Sequence, residues 1–223
     1  MDLRRRATDP ELLDEGVPEA EALRSLGDLR FVNRWLGTER SVAGAVLPLL
    51  AGLPRPRVLD VGSGSGDLPA LLRRRCPAIS LAVALDIKVL HLQQAPRGVE
   101  RVAADVNALP FEPGSFDVVT ASLFLHHFDG SDAARVLRSL FALARRALVV
   151  HDLRRNHVPY LFARATFPWL LRSPVSVADG LLSIRRSFTP AELAASFAEA
   201  GIPRVRVERH FPYRLLAVAR KPA

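Results

Sequence analysis

The chain has 223 residues, 49% of them hydrophobic and 24% charged, enough apolar material for one well-packed domain and too balanced for a disordered chain. Its single cysteine, Cys76, excludes an intramolecular disulfide and a multi-cysteine zinc cage. The net charge of +8 would suit a polyanion, but Lys88 and Lys221 are the only lysines among the 31 basic residues. The arginines are dispersed rather than gathered on one stripe with aromatics, so they read as solvated side chains and no nucleic-acid partner is expected.

The opening MDLRRRATDPELLDEG lacks the apolar stretch of a secretory leader, and no run reaches the ~20 apolar residues that span a bilayer. The expectation is a cytoplasmic protein without stable membrane insertion; a homodimer stays open. Residues 19–50 read as helices, with Leu26, Leu29, Val32, Trp35 and Leu36 at helical spacing and Gly37 as a stop. After the connector 53–56 the pattern alternates. Strands are expected at Arg57–Val61, Ile79–Leu85, Arg101–Ala104, Phe116–Ala121 and Ala147–Val150. Helices are expected at Asp67–Arg75, Lys88–Ala95 and Asp132–Ala144.

Residues 155–185 then form an aromatic-rich insertion. Thr189-Pro190-Ala191-Glu192 marks a capped helix start running to Gly201. Val205–Glu208 and Leu215–Ala219 read as a closing hairpin that gives the sheet one antiparallel strand. Four regions follow: an N-terminal helical lid (1–56), a core (57–154), an inserted helical cap (155–188), and a C-terminal helix with hairpin (189–223). Alternating strands and helices imply an α/β, doubly wound sheet that collects ligand-binding residues at the carboxyl ends of its strands.

Those ends carry the informative residues. Asp60-Val61-Gly62-Ser63-Gly64-Ser65-Gly66-Asp67 is a strand, a glycine turn and a helix start. Its spacing is G-x-G-x-G, not the G-x-G-x-x-G of a dinucleotide site, and Asp67 would repel a pyrophosphate. Two carboxylates around the loop suit a ligand with positive charge. Asp86 ends the second strand, where an acid can take ribose hydroxyls, and Asp105 ends the third.

Together, LDVGSGSGD, ALDI, AADVNALPF and SFDVVTASLFLHHF resemble the class I S-adenosylmethionine-dependent methyltransferases, and most closely their ubiquinone and menaquinone group. The resemblance covers residues 57 to about 150 and implies a Rossmann-like seven-stranded sheet with an antiparallel last strand. It implies that Gly62, Ser63, Gly64 and Gly66 line the methionine side of S-adenosylmethionine, that Asp60 and Asp67 orient its amino group, and that Ser122 sits near. Asp86 would hold the ribose with Ile87 against the adenine. Asp105 and Val106 would hold the adenine, and Asn33 and Arg34 of the lid would touch the carboxylate.

Fold alone names no acceptor. The (N/D/S)-P-P-(Y/F) motif of nucleic-acid amino methyltransferases is missing after the fourth strand, and no convincing acidic set for a catechol-type metal is visible; no metal is expected. O-methylation needs the acceptor deprotonated, and a phenol titrates near ~10. His126, His127 and His151 follow strand ends, with His126 expected as the base. Phe124, Phe128, Tyr160, Phe162, Phe167 and Trp169 are expected to enclose a phenolic, quinol or polyketide-like acceptor, as in bacterial secondary-metabolite methyltransferases. C-methylation of a similar ring, an RNA or protein substrate, or a non-catalytic cofactor-binding domain are the alternatives.

Overall fold

The computed structural model describes residues 3–202 and 205–222. A single turn, α1 (Leu12–Glu15), leads into α2 (Glu19–Trp35) and α3 (Thr38–Leu50), separated by Gly37 at φ +68°. That left-handed conformation is one glycine adopts without strain, so the expected stop falls where the backbone reverses. The core follows: β1 (Arg57–Val61), α4 (Asp67–Arg75), β2 (Leu81–Asp86), α5 (Val89–Leu92), β3 (Glu100–Ala103) and β4 (Phe116–Ser122). A 3-10 turn at Leu125–His127, α6 (Gly130–Leu143) and β5 (Ala144–Leu153) complete it.

The expected insertion folds as α7 (His157–Leu170) and α8 (Pro174–Arg186), capped by Asn156 and Ser173 side chains. Then come α9 (Pro190–Glu199), β6 (Arg206–His210) and β7 (Arg214–Arg220). The capping box before α9 is present. The Thr189 N–H donates to Glu192 Oε2 at 2.7 Å, and the Glu192 N–H donates to the Thr189 hydroxyl at 3.3 Å.

The strands form one seven-stranded sheet in the order β3-β2-β1-β4-β5-β7-β6. β1 to β5 pair in parallel, and β7 is antiparallel to both its neighbours. The α/β, doubly wound class with one reversed strand is as expected. Boundaries differ where tertiary pairing extends an element: β5 was expected over four residues, but its ladder with β7 runs from Ala147 to Leu153. That extension brings the polar His151 and Asp152 into the sheet.

Alternate strand residues feed two cores. Leu59, Val83, Val119 and Leu148 pack under α6 and α9, while Val58, Ala82, Val118 and Ala147 pack under α3 and α4. The arginines correct the compositional reading. Arg155, Arg186 and Arg214 are buried, and Arg155 bonds to the carbonyls of Leu3 and Ser187 and to Glu192. These cations hold chain segments together instead of facing water.

Helices α2 and α8 are tied across the sheet's carboxyl edge. Asp28 Oδ2, on a residue 5% exposed, accepts from the backbone N–H of Arg172 (2.9 Å) and of Ser173 (2.8 Å). Asp28→Ala leaves both donors unpaired in a buried place and is expected to cost about 1–3 kcal/mol, read from urea denaturation. An unchanged midpoint would mean that water replaces the carboxylate without loss.

Candidate active site

The glycine turn after β1 is built around an aromatic contact. A Cβ on Gly62 would stand 2.2 Å from Phe124 Cδ2, so the ring lies directly on the loop. Gly64, at φ +54°, meets only Leu26 at 3.9 Å, which leaves its outer side open to a ligand. The loop is braced from β2. Asp86 Oδ2 accepts from the Gly64 N–H and its Oδ1 from the Lys88 N–H, both at 2.8 Å.

Asp60, 4% exposed, accepts the hydroxyls of Ser63 and Thr120, each at 2.6 Å. Burial raises its carboxyl to about 6 against the pull of those two bonds. Asp67 accepts from Arg30 of α2 at 3.0 Å.

Beside the loop lies a cavity of about 920 Å³. Gly62, Gly64, Asp86, Ile87, Asp105 and Val106 line it, and Asn33 reaches it from α2. An adjoining hollow of about 150 Å³ is lined by Asp60, Ser63, Asp67, Ser122, Asn33 and Arg30. The structure thus brings most of the expected cofactor residues to one place. Two differ. Gly66 lines neither space; its Cβ would stand 3.0 Å from Ala95 Cβ, which gives it a packing reason. Arg34 also lines neither and is exposed, while Arg30, one turn earlier, lines the smaller hollow. The stripe of α2 that faces the loop is 26-29-30-33, and Arg34 lies one step around the helix from it.

The aromatic enclosure is also partly re-drawn. Phe124, Phe128, Phe162 and Phe167 line the cavity. Tyr160 and Trp169 do not, and Trp169 is 88% exposed, because the lining face of α7 runs through Val158, Phe162, Ala163, Phe167 and Leu170. Phe31 and Trp35 of α2 and Phe211 and Tyr213 of the β6–β7 turn line it instead. The apolar stripe of α2 was legible at helical spacing, but it faces this cavity rather than a packed core.

The histidines separate. His126 is 3% exposed and donates from Nδ1 to Asp152 Oδ1 at 2.7 Å; its Nε2 lies 3.6 Å from Glu11 Oε1. Burial disfavours its charge, but Asp152 and Glu11 prevail and raise it to about 10. Both carboxylates favour the charged imidazole, which counts against the expected role of His126 as the base.

His127 also lines the cavity; its Nδ1 meets Asp14 Oδ2 at 2.8 Å, and its Nε2 lies 3.9 Å from Glu11 Oε2. His151 does not line the cavity. It is 1% exposed beside His210, on the sheet face shared with Val149, and neither ring nitrogen has a hydrogen-bond partner among the described residues. Burial and the Arg214 charge lower it to about 3. Period-two alternation along β5 sends His151 and Asp152 to opposite faces, a signal that was readable beforehand. Glu11 and Asp14 were not anticipated, because they reach the site from a single-turn helix far away in sequence.

Asp60 gives a pH test. Its folded-state value is raised from 3.8 to about 6, so its protonated form favours folding. That contribution is complete below about pH 4 and disappears as pH rises through 6. Relative to Asp60→Asn, the wild-type chain is expected to lose about 3 kcal/mol across that window in denaturation curves. Parallel curves for the two proteins would place Asp60 at an ordinary value.

Comparison with known proteins fits this geometry. Residues 59–147 match the family model described as a methyltransferase domain. Over 198 residues the chain is 33% identical to a ubiquinone biosynthesis O-methyltransferase of Bordetella parapertussis, covering 83% of this chain and 73% of that one. In fold it is similar to the plantazolicin methyltransferase BpumL in complex with SAH (TM-score 0.68, 14% identity, 92% and 97% of the two chains). It is similar in the same way to a magnesium protoporphyrin IX methyltransferase of Synechocystis (TM-score 0.57, 19% identity, 84% and 83%). With its sheet order, its glycine loop and the acids at its strand ends, the chain belongs to the class I S-adenosylmethionine-dependent methyltransferases.

Proposed function

We propose that this enzyme methylates a hydroxyl oxygen of a small aromatic acceptor, of the phenol or quinol kind. The observation that carries the reading is the aromatic-lined cavity of about 920 Å³, which runs from the glycine loop to the histidine pair. Its walls include Phe31, Trp35, Phe124, Phe162, Phe167 and Phe211, which suit a flat apolar ring better than a sugar or a peptide. The likeness to a ubiquinone biosynthesis O-methyltransferase supports the same class.

The residues fit the cofactor. Asp86 takes the ribose hydroxyls, and Asp105, Val106 and the 63% exposed Ile87 take the adenine. Asp60 and Asp67 face the cationic methionine end beside Ser122. When bound, S-adenosylmethionine supplies a methyl group already activated on a sulfonium. The protein therefore aligns the acceptor, excludes water and ionises the hydroxyl. Ionisation belongs to the cluster of Glu11, His126 and His127, whose acidic and imidazole groups line the cavity beside Phe124.

Two measurements test the reading. Calorimetry with S-adenosylhomocysteine is expected to show Asp86→Ala weakened by about 10- to 100-fold, the loss of hydrogen bonds to a charged group, with Arg34→Ala unchanged. Labelled methyl transfer to a panel of catechols, quinols, RNA and proteins is expected to yield O-methyl products from the aromatic hydroxyls alone. His127→Ala is expected to lower that turnover by about 10²–10⁴-fold with S-adenosylhomocysteine affinity retained. Carbon-methylated products, or label in RNA or protein, would replace the reading with those substrates.

A further inference from the structure

Glu11 is 7% exposed at the start of α1, and it faces both histidines of the turn after β4. The gaps of 3.6 Å to His126 Nε2 and 3.9 Å to His127 Nε2 are too long for hydrogen bonds. They are close to the spacing of ligand atoms that each stand ~2.1 Å from one shared ion. One donor atom from each of the three residues lies within 4.8 Å of the others.

The far side of each ring is held as well. Each imidazole has its Nδ1 on a carboxylate, His126 on Asp152 at 2.7 Å and His127 on Asp14 at 2.8 Å. A carboxylate on Nδ1 fixes that proton and turns the Nε2 lone pair outward, the usual arrangement behind a metal-bound histidine. The turn itself is clamped. The His126 N–H donates to Asp152 Oδ2 at 3.0 Å, Arg6 donates to the His126 and Phe128 carbonyls, and Arg186 to those of His126 and His127. The turn cannot shift without breaking several bonds.

We propose that Glu11, His126 and His127 form a mononuclear centre for a first-row divalent ion of the Zn²⁺ or Co²⁺ kind, with its remaining positions open to the acceptor cavity. Two imidazoles and one carboxylate select such an ion over Mg²⁺ or Ca²⁺, which take oxygen ligands. Three carboxylates (Glu11, Asp14 and Asp152) surround two imidazoles here, and a dication offsets their charge. All three ligands line the cavity, so an acceptor hydroxyl can complete the coordination. On coordination the O–H bond breaks, its proton passes to a water at the cavity mouth, and the oxygen keeps the electron pair that the ion stabilises. This last role rests on the O-methylation reading; the metal centre does not.

The test is titration of the chelator-stripped full chain with CoCl₂ and with ZnCl₂. The expected result is one equivalent bound more tightly than about 1 µM, with visible Co²⁺ ligand-field absorption that Zn²⁺ displaces and a rise in melting temperature. Glu11→Gln and His127→Ala are expected to weaken binding by at least about 100-fold, and Asp14→Asn by about 10- to 100-fold. His157→Ala and Cys76→Ser are expected to bind as wild type. S-adenosylhomocysteine affinity, measured on every variant, reports folding.

Absence of 1:1 binding in the wild type, or wild-type binding by a folded Glu11→Gln variant, would overturn the proposal. The cluster would then be an ion-paired strap for the N-terminal segment. Metal binding without methyl transfer to any aromatic hydroxyl would leave the centre standing and remove the O-methylation reading.

Discussion

The carboxylate of Asp152 has no exposure to solvent, and a charge so placed must be paired. Besides the Leu153 N–H next to it, its partners are the backbone N–H and the Nδ1–H of His126, so the end of β5 is coupled to the turn that follows β4. Much of the site is organised around this pair. The turn's carbonyls are taken by Arg6 and Arg186, which draw in the N-terminal segment and α8. The outward edge of His126 meets Glu11, which in turn accepts the Ser183 hydroxyl at 2.7 Å. One buried charge at a strand end thus gathers segments that are far apart in sequence.

The cofactor half of the molecule was legible because its signals are local. A buried strand carrying Asp60 near its end, a glycine turn and a helix start define one another within ten residues. Asp86 and Asp105 then follow from where strands stop. Their geometry adds one thing that spacing does not convey: Asp86 holds the Gly64 N–H, so the acid expected at the ribose also shapes the loop. The acceptor half was less legible because its residues are brought together only by the fold. Tyr160 and Trp169 carry the same aromatic signal as Phe162 and Phe167, and only the orientation of α7 separates them. Among lone arginines, composition cannot tell the buried Arg155, Arg186 and Arg214 from solvated ones.

The histidines show the difference between a residue's position and its state. All three were candidates because they follow strand ends. Alternation along β5 sends His151 to the far face among Arg214 and His210, where burial keeps it neutral. His126 is on the right face, but its Nδ1 is committed to the buried Asp152. Proximity to a strand's carboxyl end therefore selects candidates, while the charges arriving from elsewhere decide what each one can do. Here those charges come from Glu11 and Asp14, on a segment with no motif of its own.

That arrangement also explains why so much apolar surface is left uncovered. Phe31, Trp35, Phe162 and Phe211 are each about half exposed or more, although a folded chain gains by burying such rings. They are not scattered: all four line one cavity. Its walls are held apart by polar ties at their bases rather than by the rings meeting one another. Asp28 joins α2 to the start of α8, Glu21 accepts the Ser173 hydroxyl, and Asp179 accepts the Leu12 and Leu13 N–H groups. Directional bonds of this kind fix the separation of two apolar faces, which hydrophobic contact alone would close. The same bonds set Glu11 and Asp14 opposite the histidine turn, so the width of the cavity and the chemistry at its end are determined together.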